Sequence, residues 1–146
     1  MTRTLGRFLW SALDVGLGLS YGDDTDCIRF QFAVLLAMYP EVVDIAAHHR
    51  LLHLDGQPVG SLANMAKLVE LGIGTEALDA DIRGVYAMQG WNGGRGHALF
   101  LIRTRRRGLW TVDFTTATND SMRPIEWATV VRKWPSRMVV KLREPA

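Results

Sequence analysis

The hydrophobic period changes halfway along this chain, and that change limits the fold more than any other feature. Up to about Gly72 the apolar residues recur at helical spacing between helix stops, whereas from Gly84 onward short runs rich in β-branched and aromatic residues alternate with turn signals. Met1 to Leu19 reads as an opening helix. Thr25 or Asp26 caps a second helix whose apolar positions Cys27, Phe30, Val34 and Met38 follow the 3.6 period, and Pro40 stops it, so one face is expected to be buried. Further helical stretches are expected from Glu41 to about His53, ending at Asp55-Gly56-Gln57-Pro58; from Ser61, presenting Leu62, Met65, Leu68 and Val69 and stopping at Gly72; and, briefly, from Thr75 to Ile82.

In the second half, strands are expected over Gly84 to Trp91, Ala98 to Arg103 and Leu109 to Thr115, with Arg105-Arg106-Arg107-Gly108 as a hairpin turn. Pro124 suits the first turn of a helix carrying Ile125, Ala128 and Val131; Pro135 ends it, and Met138 to Leu142 makes a closing strand that pairs back into the sheet. Helices first and strands second predict an α+β fold, with N-terminal helices packed on a small antiparallel sheet.

With 146 residues, 48% of them hydrophobic and 22% charged, the chain reads as one domain, 1–146, with room for a real core. Seventeen Lys and Arg against fifteen Asp and Glu leave +2, too little to imply a nucleic-acid partner without a clustered basic face. The longest apolar run, Phe30 to Tyr39, is interrupted by Gln31 and closed by Pro40, well short of the roughly eighteen residues of a membrane helix, so no span is expected. Arg3 and Arg7 precede an apolar run, but Asp14 and the glycines break it and no signal peptide is clear. A secreted or injected effector, or a cytoplasmic protein, fits these features.

A single cysteine excludes an internal disulfide framework and any zinc site built from several thiolates. Cys27 falls in the first turn of its helix, after the polar run Tyr21-Gly22-Asp23-Asp24-Thr25-Asp26. Unpaired N–H groups and the positive end of the helix dipole favour a thiolate there and offer donors to an oxyanion, against the pull of the nearby Asp residues. A thiol nucleophile needs a base, and His97 opens an apolar strand straight after the glycine-rich loop Gly90-Trp91-Asn92-Gly93-Gly94-Arg95-Gly96. Trp91, Asn92 and Gly96 are candidates for the substrate cleft beside it. Asp113 lies in the next strand, where pairing about the Arg107-Gly108 turn brings it within reach of the imidazole; Asn119 or Asp120 are substitutes for this orienting role. Against this stand plainer roles: Cys27 as an inert core thiol, His97 bonded to a loop carbonyl, and Asp113 paired with Arg103 or Arg105.

The order of a Cys at a helix start, a His at a strand start and an Asp on the following strand resembles the papain-like superfamily. The strings Asp26-Cys27-Ile28-Arg29-Phe30 and Gly96-His97-Ala98-Leu99-Phe100 resemble its NlpC/P60 branch of cell-wall amidases and endopeptidases. The likeness runs from Tyr21 to Thr116 and includes Ala63-Asn64-Met65 followed by Gly84-Val85-Tyr86-Ala87-Met88. It implies a papain-like fold and a cofactor-free amide hydrolase with Cys27 as nucleophile and His97 as base, acting through a thioester on peptide amides such as those of bacterial cell-wall stems. It also implies Tyr21, six residues before Cys27, as an oxyanion donor. Its partners would be a peptide or protein substrate and, for a toxin, an immunity or inhibitor protein. Two departures stand out: Ile28-Arg29 replace the small residues usual after the Cys, and the third polar residue is an Asp, as in transglutaminase-like enzymes and papain-fold toxins. Gly96-His97-Ala98 and Trp110-Thr111-Val112-Asp113 are similar to those relatives too, so the alternatives are a toxin that deamidates, cross-links or cleaves a protein and a catalytically silent interaction module.

His49 and His53 share a helix face at i, i+4, with His48 beside them. The Glu of a His-Glu-x-x-His motif is absent and there is no third ligand beyond Asp55, so a solvated or packed helix end is favoured and no metal is expected. Arg103, Arg105, Arg106 and Arg107 could touch phosphate or an acidic polymer, but on a hairpin tip a solvated, aggregation-resistant edge is favoured. Trp91, Trp110, Trp127 and Trp134 read as core or cleft wall.

Overall fold

The computed structural model describes residues 2–17, 26–41, 62–80, 82–93, 95–113 and 122–146. Three helices, α1 (Arg3–Leu17), α2 (Asp26–Met38) and α3 (Leu62–Glu70), precede β1 (Gly74–Ala77), β2 (Gly84–Asn92), β3 (Arg95–Thr104), β4 (Gly108–Val112) and β5 (Met122–Pro124); α4 (Trp127–Lys133) and β6 (Ser136–Leu142) close the chain. The fold is α+β, as the change of period predicts. One antiparallel sheet runs in the order β1-β6-β2-β3-β4-β5, with β6 paired back against β2. No helix among the described residues is long and apolar enough to cross a membrane.

The central strands are apolar on both faces. Val85, Ala87, Ala98, Phe100, Ile102 and Val140 meet the helices, while Tyr86, Met88, Leu99, Leu101 and Val139 turn to the opposite side, which Val130 of α4 helps to cover. Covering both faces explains why these strands read as nearly continuous hydrophobic runs. For the same reason α2 is buried almost all round rather than on the single face expected: Ile28, Gln31, Phe32 and Leu35 are buried together with Cys27, Phe30, Val34 and Met38.

α1 begins where the Thr2 hydroxyl accepts the Leu5 N–H at 3.1 Å. α3 stops at Gly72, as expected: Ile73 N–H reaches the Leu68 carbonyl and Gly72 N–H the Val69 carbonyl, both at 3.0 Å, with Gly72 at φ +75°. Where a helix was expected from Thr75 to Ile82, Thr75–Ala77 instead belong to the edge strand β1 (Gly74–Ala77). Leu78 and Ile82, 91% and 64% exposed, have no core to face, and so short a helix is not self-supporting, whereas Gly74–Ala77 gain a ladder with β6.

The glycine-rich stretch Gly90 to Gly96 is mostly hairpin rather than loop. Asn92 pairs with Arg95, and Gly93, next to Asn92, takes φ +57°. β4 ends at Val112, before the expected Thr115; positions 114–121 lie outside the described residues, as do those from 42 to 61, where the Glu41 to His53 helix was expected. Pro124 belongs to β5, paired with Trp110, instead of opening a helix. Ile125 N–H still reaches the Leu109 carbonyl at 3.1 Å, so sheet pairing delays α4 to Trp127. The helix consequently buries Val130, and Ala128 and Val131 face out.

Candidate active site

Cys27 is the second residue of α2, in its first turn, where the helix dipole is positive. α2 is fixed to the sheet one turn further on. There the buried Gln31 side chain donates both amide hydrogens, to the Met88 and Leu99 carbonyls at 2.9 Å each, and accepts one from Gln89 Nε2 at 3.1 Å. A buried amide with these three bonds is costly to displace, so it sets the distance between the helix of Cys27 and the strand that carries His97.

His97 is the third residue of β3 and pairs in register with Gly90 of β2. The β3–β4 register, Phe100 opposite Val112, carries the chain after β4 back toward His97. His97 Nε2 there meets Asp113 Oδ2 at 2.9 Å, and the carboxylate is only 2% exposed. The imidazole also hydrogen-bonds the Cys27 side chain. With Nε2 committed to Asp113, Nδ1 is the nitrogen left for the sulfur. Burial pulls the imidazole toward neutrality, but the bonds to Asp113 and Cys27 and the charge of both outweigh it, and the His97 pKa is pushed up to about 9. His97 is therefore an imidazolium at neutral pH.

The three residues singled out in the sequence thus come together, and the carboxylate has a partner that pattern reasoning missed. Arg123 of β5 donates to the same Asp113 Oδ2 at 3.3 Å, in place of Arg103 or Arg105, which lie at the other end of the hairpin. The sequence holds no cue for this pairing, because it depends on β5 folding beside β4. A cue for Gln31 was present: a lone amide in an apolar helix, one turn after the cysteine.

Trp134, which follows α4, forms the wall behind the imidazole, with ring centroids 5.9 Å apart and planes 20° from parallel. It reaches this position by lying across Gly90: a Cβ there would stand 2.5 Å from both Cβ and Cγ of Trp134. Gly90 is a glycine because of this close approach, and its neighbours in register are His97 on one side and Arg137 on the other. Asn92, expected to line the cleft, spends its amide on the Lys133 carbonyl at 3.0 Å and ties down the end of α4 that carries Trp134. Trp91 and Gly96 face each other in the same hairpin, with Gly96 exposed immediately before His97. Tyr21, Asn119, Asp120 and the three histidines at 48, 49 and 53 lie outside the described residues.

Chemically, the arrangement offers a thiol, an imidazolium held by a carboxylate, and a helix N-terminus whose amides can receive negative charge. No protein family, curated protein or solved structure matches the chain.

Proposed function

We propose that the chain is a papain-like cysteine amide hydrolase in which Cys27 is the nucleophile, His97 the proton carrier and Asp113 the residue that orients the imidazole. The observation that carries this reading is one imidazole bonded both to a buried carboxylate and to the thiol of a helix N-terminus. In the reaction the Cys27 proton is held on His97, the sulfur attacks the amide carbonyl as a thiolate, and the oxyanion is received by the Cys27 backbone N–H. The C–N bond then breaks as the imidazolium gives its proton to the departing amine, leaving a thioester. Neutral His97 next takes a proton from water, the hydroxide attacks the thioester, and the acid leaves the Cys27 thiolate beside the imidazolium.

The substrate class we infer is the peptide amides of bacterial cell-wall stems, which rests on the likeness of Asp26-Cys27-Ile28-Arg29-Phe30 and Gly96-His97-Ala98-Leu99-Phe100 to cell-wall amidases. Incubation with purified peptidoglycan should release stem peptides detectable by mass spectrometry. Glutamines of lysate proteins gaining the mass of deamidation, with the wall intact, would move the assignment to protein deamidation.

One observation favours a second reading. Cys27 is only 3% exposed and belongs to the main core cluster, as a structural thiol in a catalytically silent interaction module would. Iodoacetamide decides between the two. A catalytic thiol is alkylated in the folded protein at neutral pH and loses that reactivity in His97→Ala; a thiol that reacts only after denaturation removes the hydrolase reading.

A further inference from the structure

At the end of the sheet remote from His97, the first turns of α1 lie across the start of β2, the end of β3 and the β3–β4 turn, and enclose a cavity of about 760 Å³. Six residues of β3 separate His97 from Thr104 on its rim, about 23 Å along the strand. This cavity is distinct from the triad.

Leu5, Leu9, Ile102 and Trp110 give it apolar walls, and Arg83, Arg103, Arg105, Arg106 and Arg107 also line it. Five of the chain's seventeen cations therefore converge on one opening. Among the described residues, none that lines it is a carboxylate and none of the five arginines makes an ion pair. Arg3, Lys67, Arg123 and Arg143, by contrast, each face a carboxylate. The turn that carries three of the arginines is pinned from both sides. Arg107 N–H donates to the Thr104 hydroxyl at 3.0 Å, the Trp110 indole donates to the Arg107 carbonyl at 2.8 Å, and Gly108 takes φ +70°. A bound anion would thus meet guanidinium groups on a backbone already in place, with less ordering to offset.

A solvated hairpin tip needs neither walls nor a floor. Guanidinium forks match phosphate oxygens, while the apolar walls leave room for an aliphatic chain, and the volume lies in the range of sites for small molecules. We propose that this cavity binds an anionic amphiphile, its phosphate head among the arginines and its alkyl chain between α1 and β3.

Decyl phosphate, kept below its micelle concentration and titrated calorimetrically, tests the site. The wild-type protein is expected to bind it at least about ten-fold more tightly than inorganic phosphate or decyl maltoside, since each buried methylene is worth roughly a factor of four in affinity. The triple variant Arg105→Ala/Arg106→Ala/Arg107→Ala, which leaves the backbone bonds of the turn intact, should lose at least about ten-fold. Equal binding of inorganic phosphate or of the neutral maltoside would overturn the proposal, as would an unchanged affinity in the triple variant. Sedimentation with phosphatidylglycerol vesicles separates the two sources of such a head. Pelleting that the triple variant loses assigns a bilayer lipid, decyl phosphate binding without pelleting assigns a soluble amphiphile, and binding of neither overturns the site.

Discussion

At the His97 end of β3 an imidazolium, a carboxylate and a thiol are withdrawn from water and joined to one another; at the Thr104 end five arginines line a cavity in which no carboxylate among the described residues answers them. The same strand builds both. Where charges are buried and paired, hydrogen bonds fix their geometry and push the imidazole's pKa up. Where they are gathered at an open rim without partners, the field is left for a molecule from outside. On the proposed reading pairing serves reaction and its absence serves recognition, and each can be broken separately.

The largest expected effect comes from removing the nucleophile. Cys27→Ala should lower peptide release from the wall at least about a thousand-fold while leaving the circular dichroism spectrum and decyl phosphate affinity unchanged. Hydrolysis that survives this change would refute the site. Loss of decyl phosphate binding in the same variant would show that the two ends are not independent.

Asp113→Asn should follow, with a loss of about a hundred-fold or more. It also has a pH signature. His97 in the folded protein titrates near 9, above its unfolded value of about 6.5, so its pairing contributes stability that is fully present below about pH 6.5 and is lost as pH rises to about 9. The wild-type melting temperature should therefore fall across that window. In Asp113→Asn the first cause of the rise is removed while burial remains, so the melting curve should be flatter there and the alkaline limb of the rate profile should move to lower pH. Two superimposable pH profiles would show that Asp113 does not hold the imidazole.

How far the sequence discloses these sites depends on the range of the interactions that build them. α2, the hairpins and the stop at Gly72 rest on local periodicity and on glycine or proline punctuation, so they are legible, and with them the order Cys27, His97, Asp113. The edge strands β1 and β5 are not. Gly74–Ala77 and Met122–Pro124 are short, and what makes them strands is a partner distant in sequence, so local signals were read as helix in the first case and as a helix start in the second. Arg123 was missed with β5, and Trp134 could be read only as wall without Gly90 to show which wall. The arginine run was legible as charge; the cavity required α1 to be placed across it.

Two positioning residues sharpen the contrast from the side of packing. Gln31→Leu strands the Gln89 amide and two strand carbonyls, a loss of about 2–3 kcal/mol in chemical denaturation. Gly90→Ala drives a methyl into Trp134 at its least yielding end, close to the backbone, and should cost roughly 1–3 kcal/mol. If Trp134 acts on His97 rather than merely filling space, Gly90→Ala should also shift the imidazole's titration followed by NMR, and an unmoved titration would leave Trp134 a core residue only.

The smallest effect is expected from the arginines themselves with no ligand present. Because five like charges surround the cavity with no counter-charge among the described residues that line it, removing Arg105, Arg106 and Arg107 relieves repulsion and should raise the melting temperature by about a degree or two at low ionic strength. About 0.5 M salt screens such exposed charges, so the difference between the variant and the wild type should vanish there. The Asp113→Asn difference should persist, because salt reaches a buried pair far less. A triple variant that is instead destabilised, equally at both salt concentrations, would mean that the arginines are held by bonds within the fold and are not open to a ligand.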